Sequence, residues 1–364
     1  MISPSATDDD FRCRPPSQVR VAVFGATGYA GRFVARELLE RGYQVIIFAR
    51  ERSGIDGQQN PQEVIAQFAG ASVYFGDVTN PNSISDGVFF KPVDVVVSCL
   101  ASRGGGQQDS WAIDYQATLN TLQEGTRAGI KHFILLSAIC VQKPELAFQK
   151  AKLAFEEVLR TQAQVTWSIV RPTAFFKSLA AQVGACRWGS PYVIFDDGKL
   201  TSCKPISECD LAQFIVDCVH RQDRINQILP IGGPGPALSN HQQAEILFRI
   251  LDRPLLTISV PLALMDAAVA VFDSLAHILP NLSNLAEYAR IGRYYARESM
   301  LVWDEKRQCY SEEMTPSTGK DTFKSFLERV IQDGLGGQEL GEASMPGVKN
   351  ISRSLARRIK KANH

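Results

Sequence analysis

The sequence feature that most constrains the fold is the glycine-rich segment GATGYAG at residues 25–31. It directly follows a short β-branched run at 19–24, which predicts a buried strand, and it opens a helical pattern over 28–41. In such a strand–turn–helix unit, the amino end of the helix presents backbone amides and a partial positive charge to whatever lies over the turn. The pattern therefore predicts a turn that binds the phosphates of a dinucleotide.

The three glycines of this turn have separate roles. Gly25 permits the tight turn, Gly28 lets backbone amides approach a diphosphate, and Gly31 permits close packing of the helix on the strand. Thr27 and Tyr29 lie among them and are further candidate cofactor contacts. A tight structural turn without a ligand is the alternative.

Strand and helix signals alternate through the first half of the chain. Helical patterns at 111–127 and 145–159 separate nearly continuous apolar runs, as expected for a parallel sheet that is covered on both faces. The alternation predicts an α/β fold with a Rossmann-type, doubly wound parallel sheet. The further predicted strands are 44–50, 72–77, 93–100, 132–138 and 166–172.

The end of the second predicted strand indicates which dinucleotide is bound. Enzymes that use NAD usually place an acidic residue there to hold the ribose hydroxyls. This chain has Arg50, and an arginine can pair with a 2′-phosphate through two hydrogen bonds. The neighbouring Glu51 leaves NAD as an alternative, but the pattern favours NADPH, with Ser53 as a second contact and Arg32 as either a phosphate ligand or a surface residue.

The remaining predicted cofactor contacts follow other strands: Asp77, Val78, Leu100, Ala101, Ser102, Pro172, Thr173 and Phe175. The glycine loop at 103–106 is interpreted either as a lid or as a loose connection.

Four regions are predicted along the 364 residues. They are a polar, disordered N-terminal segment (1–18), an NADP-binding Rossmann-type domain (19–185), a smaller C-terminal substrate-binding region that partly returns to the main sheet (186–346) and a basic tail (347–364). Helices are predicted over 206–220 with Ser207 as the N-cap, 239–251, 261–279 and 319–333, and a strand over 228–235.

Composition argues against several other classes of protein. The net charge of +1 gives no overall field that would attract nucleic acid. The eight cysteines form no CxxC pair, so neither a zinc ribbon nor a thioredoxin-like motif is expected, and no metal site is predicted. The most apolar stretch, 261–280, contains charged residues and makes a poor membrane span.

The candidate catalytic residues are Ser137 and Lys152. Short-chain dehydrogenases carry a serine after a strand and then Tyr-x-x-x-Lys on the next helix, but here Phe148 stands in place of the tyrosine. That tyrosine is the general acid in carbonyl reduction, and phenylalanine cannot donate a proton. The pattern favours hydride addition to a C=C bond, or no catalysis at all. A solvated surface lysine is the alternative for Lys152.

Several longer strings resemble one family, the NADPH-dependent divinyl chlorophyllide a 8-vinyl reductases of plants, algae and some cyanobacteria. The strings are VVVSCLASR (95–103), LLSAICVQKP (135–144), IVRPTAFFKS (169–178), CKPISECDLA (203–212), LPIGGPG (229–235) and IGRYYARESML (291–301). More broadly, the chain is similar to isoflavone-reductase-like and NmrA-like atypical short-chain dehydrogenases. The resemblance implies NADPH-dependent reduction of the 8-vinyl group of a magnesium tetrapyrrole, in a chloroplast or in cyanobacterial cytoplasm, with Lys152 orienting the cofactor and relaying a proton.

Two other functions remain open at this point: an NADP-sensing regulator without catalysis, and an accessory subunit that uses the fold structurally. The preferred pigment and its magnesium ligand are also open, with His132, His241 and His277 unranked. The resemblance further implies a peripheral contact with the photosynthetic membrane. The tail offers a means, because its basic residues are unopposed by acids and three aliphatic residues recur every four positions. A solvated basic end is the alternative.

Overall fold

The computed structural model describes residues 10–54, 57, 59–278 and 283–334. The strands in chain order are β1 (Arg20–Phe24), β2 (Gln44–Ala49), β3 (Ser72–Phe75), β4 (Val95–Ser98), β5 (His132–Leu136), β6 (Thr166–Pro172), β7 (Tyr192–Phe195), β8 (Ser202–Cys203), β9 (Gln227–Ile231), β10 (Leu238–Ser239), β11 (Thr257–Val260), β12 (Val302–Asp304) and β13 (Cys309–Ser311). Seven of them form one parallel sheet in the order β3-β2-β1-β4-β5-β6-β9. The prediction of a doubly wound parallel sheet is confirmed.

Helices cover both faces of this sheet. The helices in chain order are α1 (Gly31–Glu40), α2 (Pro61–Gln67), α3 (Pro81–Val88), α4 (Gln107–Asp109), α5 (Thr118–Arg127), α6 (Ala147–Thr161), α7 (Phe176–Leu179), α8 (Val183–Arg187), α9 (Glu208–Asp217), α10 (Asn240–Ile250), α11 (Leu262–Ile278), α12 (Ser283–Arg297) and α13 (Phe323–Asp333), with a π-helical segment, Ser110–Ala117, between α4 and α5. Alternate residues of a strand point to opposite faces. Val21 and Val23 of β1 therefore pack in the core beneath α1 and α9, whereas Ala22 and Phe24 pack in the core beneath α3, α5 and α6.

The segment before β1 is ordered from residue 10 onward. It forms two short 3₁₀ turns, Phe11–Cys13 and Pro16–Gln18, and the Phe11 side chain is 1% exposed in the core under α1 and α9. Arg14 forms an ion pair with Asp94. The prediction of disorder over 1–18 is therefore wrong for residues 10–18, and residues 1–9 lie outside the described residues.

The second half of the chain contributes to two structures. β9 lies beside β6 in the main sheet, and α9 packs on α1 with Ser207 as its N-cap, as predicted. β7 and β11 form a separate parallel ribbon whose buried side packs against α8, α10 and α13. The boundaries of the predicted domains stay predictions. Within the described ranges, no helix combines the length and the apolar character that crossing a bilayer requires.

His132 makes the fold sensitive to acid. Its side chain is fully buried at the start of β5, with Nδ1 2.9 Å from the Thr166 hydroxyl and Nε2 3.1 Å from the Ser168 hydroxyl. Burial, with the nearby Arg12 charge, lowers the pKa of His132 to about 3. In the unfolded chain the residue binds a proton below about pH 6.5, so the folded state loses stability as the pH falls from there toward 3.

We predict that this residue contributes a loss of about 1.4 kcal/mol of unfolding free energy per pH unit below pH 6.5. A His132→Gln variant should show a flatter dependence in urea unfolding measured between pH 7 and pH 5. His241→Gln is the matched control, because the His241 ring is partly exposed and pairs with Glu245 of the same helix. An unchanged pH dependence in His132→Gln would contradict the prediction.

Candidate dinucleotide-binding and active site

The glycine turn after β1 lies close against the end of β4. Gly25 has a positive φ of 78°, and a Cβ built on it would lie 2.6 Å from the Cys99 carbonyl oxygen and 3.0 Å from the Leu100 nitrogen. A Cβ on Gly31 would lie 2.2 Å from the Gly25 carbonyl oxygen. Gly28 is exposed at the amino end of α1. The turn therefore keeps an open backbone cradle that fits a diphosphate.

The predicted contacts after β2 and β3 differ in what their side chains do. Arg50 is exposed, whereas Ser53 is fully buried and its hydroxyl donates to the Arg50 carbonyl oxygen at 2.5 Å, so Ser53 shapes the turn that carries Arg50. Asp77 is exposed, and its carboxylate accepts from the Thr79 amide at 2.8 Å. Val78 is buried in the core below. All four stay predictions as cofactor contacts.

The structure gives more reason to regard Arg32 as a phosphate ligand than its place in the sequence does. Its Nε and Nη2 atoms are buried and have no hydrogen-bond partner among the described residues. Burial, followed by the neighbouring Arg36 charge, lowers the pKa of Arg32. Its guanidinium lies 5.6 Å from the centroid of the Tyr29 ring beside the glycine turn. A half-buried guanidinium with two nitrogens that lack a hydrogen bond among the described residues fits a phosphate of NADPH.

Lys152 lies in a buried ion pair at the end of β4. Its Nζ is 2.9 Å from Asp114 Oδ1 and donates to the Leu100 carbonyl oxygen at 3.4 Å. The side chains of Lys152 and Asp114 are only 9% and 1% exposed. The interpretation of Lys152 as a solvated surface residue is therefore wrong. Burial raises the pKa of the adjacent Cys99 to about 12 against the opposing effect of the Lys152 charge, so this thiol stays neutral.

Asp114 is a candidate site residue that sequence reasoning missed. It lies in the π-helical segment, and its Oδ2 accepts from the Ser102 amide at 3.3 Å. Single-turn π-helical bulges occur frequently at functional sites. The sequence could have indicated its burial, because Asp114 lies on the same helical face as Ala117 and Thr121, both of which are buried.

Ser137, which follows β5, belongs to a second polar cluster around Glu156 of α6. Its hydroxyl donates to Glu156, which also accepts from Arg171 Nε at 3.2 Å. Thr173 is likewise buried, and its hydroxyl donates to the Lys204 carbonyl oxygen. These hydroxyls are occupied within the protein, so catalytic and cofactor roles for Ser137 and Thr173 stay predictions.

The segment after β6 closes over the glycine turn. Pro172 is buried, and the Phe175 ring lies 5.8 Å from the Tyr29 ring. Lys177 of α7 lies near the same ring, with its ammonium group 4.4 Å from the Tyr29 centroid. The geometry therefore places Phe175 and Tyr29 together beside the glycine turn, and their roles as cofactor contacts stay predictions.

The helix α12 covers the loop that follows β4. A Cβ on Gly104 would lie 2.4 Å from the Tyr288 hydroxyl oxygen, and one on Gly105 would lie 3.0 Å from Ile291 Cδ1 and 3.7 Å from Phe148 Cδ1. The glycine loop is thus packed against α12, which excludes the loose connection considered above. Phe148 and Ile291 border a small apolar cluster formed by Cys140, Leu146 and Tyr294.

The described histidines do not converge on this site. His132 lies at the start of β5, opposite the carboxyl ends of the strands, and His241 lies on α10 next to Glu245. The side chain of His277 lies outside the described residues. The described part of the chain contains no group of three or more histidine, cysteine or acidic residues suited to a metal ion.

Comparisons with known proteins agree with this geometry. A family model described as NAD(P)H-binding matches residues 25–222. The chain is 54% identical to the chloroplastic divinyl chlorophyllide a 8-vinyl-reductase of Zea mays over 94% of its own length and 87% of that protein. It is 54% identical to the Arabidopsis thaliana protein of the same name, over 94% and 84%. A solved NADPH-dependent quinone oxidoreductase of Escherichia coli, complexed with NADPH, has a similar fold with a TM-score of 0.60 at 15% identity, over 85% of this chain and 99% of that one.

We predict that Arg50 and Arg32 together select NADPH over NADH. Arg50→Asp and Arg32→Ser should each weaken NADPH binding by about 1–3 kcal/mol, which corresponds to roughly 5- to 150-fold, because each loses charge-assisted hydrogen bonds. NADH binding should change little. Fluorescence titration with both nucleotides measures this, and Arg52→Ser, at an exposed neighbouring arginine, is the control. Equal wild-type affinity for NADH and NADPH would contradict it.

Proposed function

Because the chain belongs to the divinyl chlorophyllide a 8-vinyl-reductase family, we infer that it reduces the 8-vinyl group of a divinyl chlorophyllide to ethyl with NADPH. The observation that carries this inference is the identity with the plant reductases over nearly the whole chain. The plant relatives are chloroplastic proteins, and we place this chain in a plastid on that basis. The reaction belongs to chlorophyll biosynthesis.

The reaction adds one hydride and one proton across the vinyl double bond. NADPH, when bound, supplies the hydride. A vinyl group conjugated to a tetrapyrrole can accept it at the terminal carbon, because the ring delocalises the resulting charge. The protein's task is to hold the two reactants in contact, exclude water and deliver a proton to the other vinyl carbon.

The residues around the glycine turn are suited to hold the cofactor. Gly25, Gly28 and Gly31 keep the backbone open for the diphosphate, and Arg32 and Arg50 supply charge for phosphate groups. The ends of the other strands would border the rest of the cofactor: Asp77, Val78, Leu100, Ala101, Ser102, Pro172, Thr173 and Phe175. We assign to Lys152 the orientation of the nicotinamide ribose and the relay of the proton.

The surroundings of Lys152 favour reduction of a C=C bond. Phe148 occupies the position of the tyrosine and packs near Ile291, so it adds apolar cover in place of a proton donor for a carbonyl. An enclosed ion pair beside apolar side chains is suited to an apolar substrate. A regulator without catalysis would have no use for this enclosure, which supports the reductase over the two other functions.

The test is incubation of the purified protein with divinyl chlorophyllide and NADPH while the Soret band is recorded. We expect a blue shift, because reduction removes the vinyl group from conjugation. Lys152→Ala should lower turnover more than about tenfold, at the low end of acid–base contributions, while NADPH still binds. No shift with the wild-type protein would refute the function, and wild-type turnover by Lys152→Ala would refute the role of the lysine.

A peripheral contact with the photosynthetic membrane is part of the proposal. The tail 347–364 carries six lysine or arginine residues without an acid and lies outside the described residues. Leu264 and Val271 lie on α11, which packs on α12, and are 61% and 55% exposed. Such exposed aliphatic side chains can contact a bilayer, and basic residues near an anionic surface contribute about 1 kcal/mol each.

Co-sedimentation with vesicles that contain an anionic lipid tests this contact. The full chain should bind at low salt and dissociate at high salt, and a variant truncated after residue 346 should bind less. Vesicles of zwitterionic lipid are the control. Equal binding by the truncated chain would remove the tail from the proposal, and absence of binding by the full chain would remove the membrane contact.

A further inference from the structure

We propose that Asp114 is a positioning residue for this reduction: it keeps Lys152 charged and directs the ammonium group to the carboxyl edge of the sheet. The inference rests on the proposed function, because that function gives Lys152 its task. Asp114 was identified only from its contacts, and it acts on the reaction through the lysine.

The geometry of the pair is fixed from several elements. Asp114 lies on the π-helical segment, Lys152 on α6, and both reach the residues after β4. One carboxylate oxygen is 2.9 Å from Lys152 Nζ, and the other accepts from the Ser102 amide at 3.3 Å. Leu100 supplies a backbone carbonyl to the same ammonium group. The carboxylate is thus attached to the strand end where the cofactor is expected.

Burial makes the carboxylate necessary for the charge. An ammonium group that is removed from water without a partner loses its proton readily. Both members of this pair are more than nine-tenths buried, so the attraction between them replaces the lost hydration. Without Asp114, the described residues around Lys152 would offer its buried ammonium group only the Leu100 carbonyl oxygen as a hydrogen-bond acceptor.

The arrangement also determines a direction. A lysine ammonium has three hydrogens to donate. Leu100 accepts one of them at the end of β4, and the Asp114 carboxylate attracts the ammonium group from 2.9 Å on the side of the π-helical segment. A remaining hydrogen can be donated to a ribose hydroxyl or to a proton relay. With phenylalanine at position 148, the lysine has no tyrosine to activate, so its own charge and direction matter for the reaction.

Asp114→Asn is the variant that separates charge from shape. It preserves the size of the side chain and an oxygen for the Ser102 amide, but removes the negative charge. Asp109→Asn is the matched control, because Asp109 ends the adjoining α4 and its exposed carboxylate accepts from the Arg103 amide at 2.8 Å. The readouts are kcat for divinyl chlorophyllide between pH 6 and pH 10, and NADPH affinity over the same range by fluorescence.

We expect Asp114→Asn to lower kcat at least about tenfold, with little change in KM for the pigment. Activity and NADPH affinity should both begin to fall at a lower pH than in the wild type, because the buried ammonium group has lost its charged partner. Asp114→Glu should restore part of the wild-type pH profile. In a Lys152→Met background, Asp114→Asn should have no further effect on kcat.

Wild-type kcat and pH dependence in Asp114→Asn would overturn the proposal, as would the same changes in Asp109→Asn. If Asp114→Asn does not fold, the Asp114→Leu, Lys152→Met double variant replaces the whole pair by apolar groups, a change that is often tolerated. Its NADPH affinity should be independent of pH up to pH 10, and a fall at the wild-type pH would overturn the proposal. The affinity measurements need no pigment, so they distinguish failure here from failure of the proposed function.

Discussion

The close approach of the β1 turn to the end of β4 is the constraint on which the site depends. Only a residue without a Cβ fits at Gly25, because the Cys99 carbonyl lies where that atom would be. The contact leaves the cradle at the amino end of α1 open, and it also fixes the Cys99–Leu100 peptide, which directly precedes the Leu100 carbonyl. Cofactor binding and the position of Lys152 therefore follow from the same contact.

Two ion pairs, one helical turn apart, fix the face of α6 that carries Lys152. Lys152 pairs with Asp114 of the π-helical segment, and Glu156 pairs with Arg171 of β6 and accepts from Ser137. Buried pairs contribute little net stability, because the loss of hydration offsets much of the attraction. Their benefit here is geometric. Each pair can form only when α6 has a particular rotation about its axis and a particular position along it relative to the neighbouring elements.

Much of this could be predicted from local pattern, and the rest depended on contacts between distant segments. Apolar runs located the strands of the main sheet, and in the five inner strands burial on both faces leaves a continuous signal. The phosphate cradle was equally visible, since glycines act through the local backbone. Asp114 was not found, because the π-helical segment and the pairing with Lys152 determine where its carboxylate lies. Phe11 was missed because one aromatic residue in a polar segment has no periodicity that shows burial.

The replacement of a tyrosine by Phe148 can be understood from the surroundings of Lys152. Addition of a hydride to a vinyl group requires one proton at carbon and no proton donor for a carbonyl oxygen. Phe148 and Ile291 come from different halves of the chain and lie against Gly105, and Phe148 is one helical turn before Lys152, so apolar side chains lie beside the ion pair. In such an enclosure electrostatic interactions are stronger than in water. Apolar cover and a fixed charge are therefore complementary parts of one site, and the C-terminal half is needed to complete it.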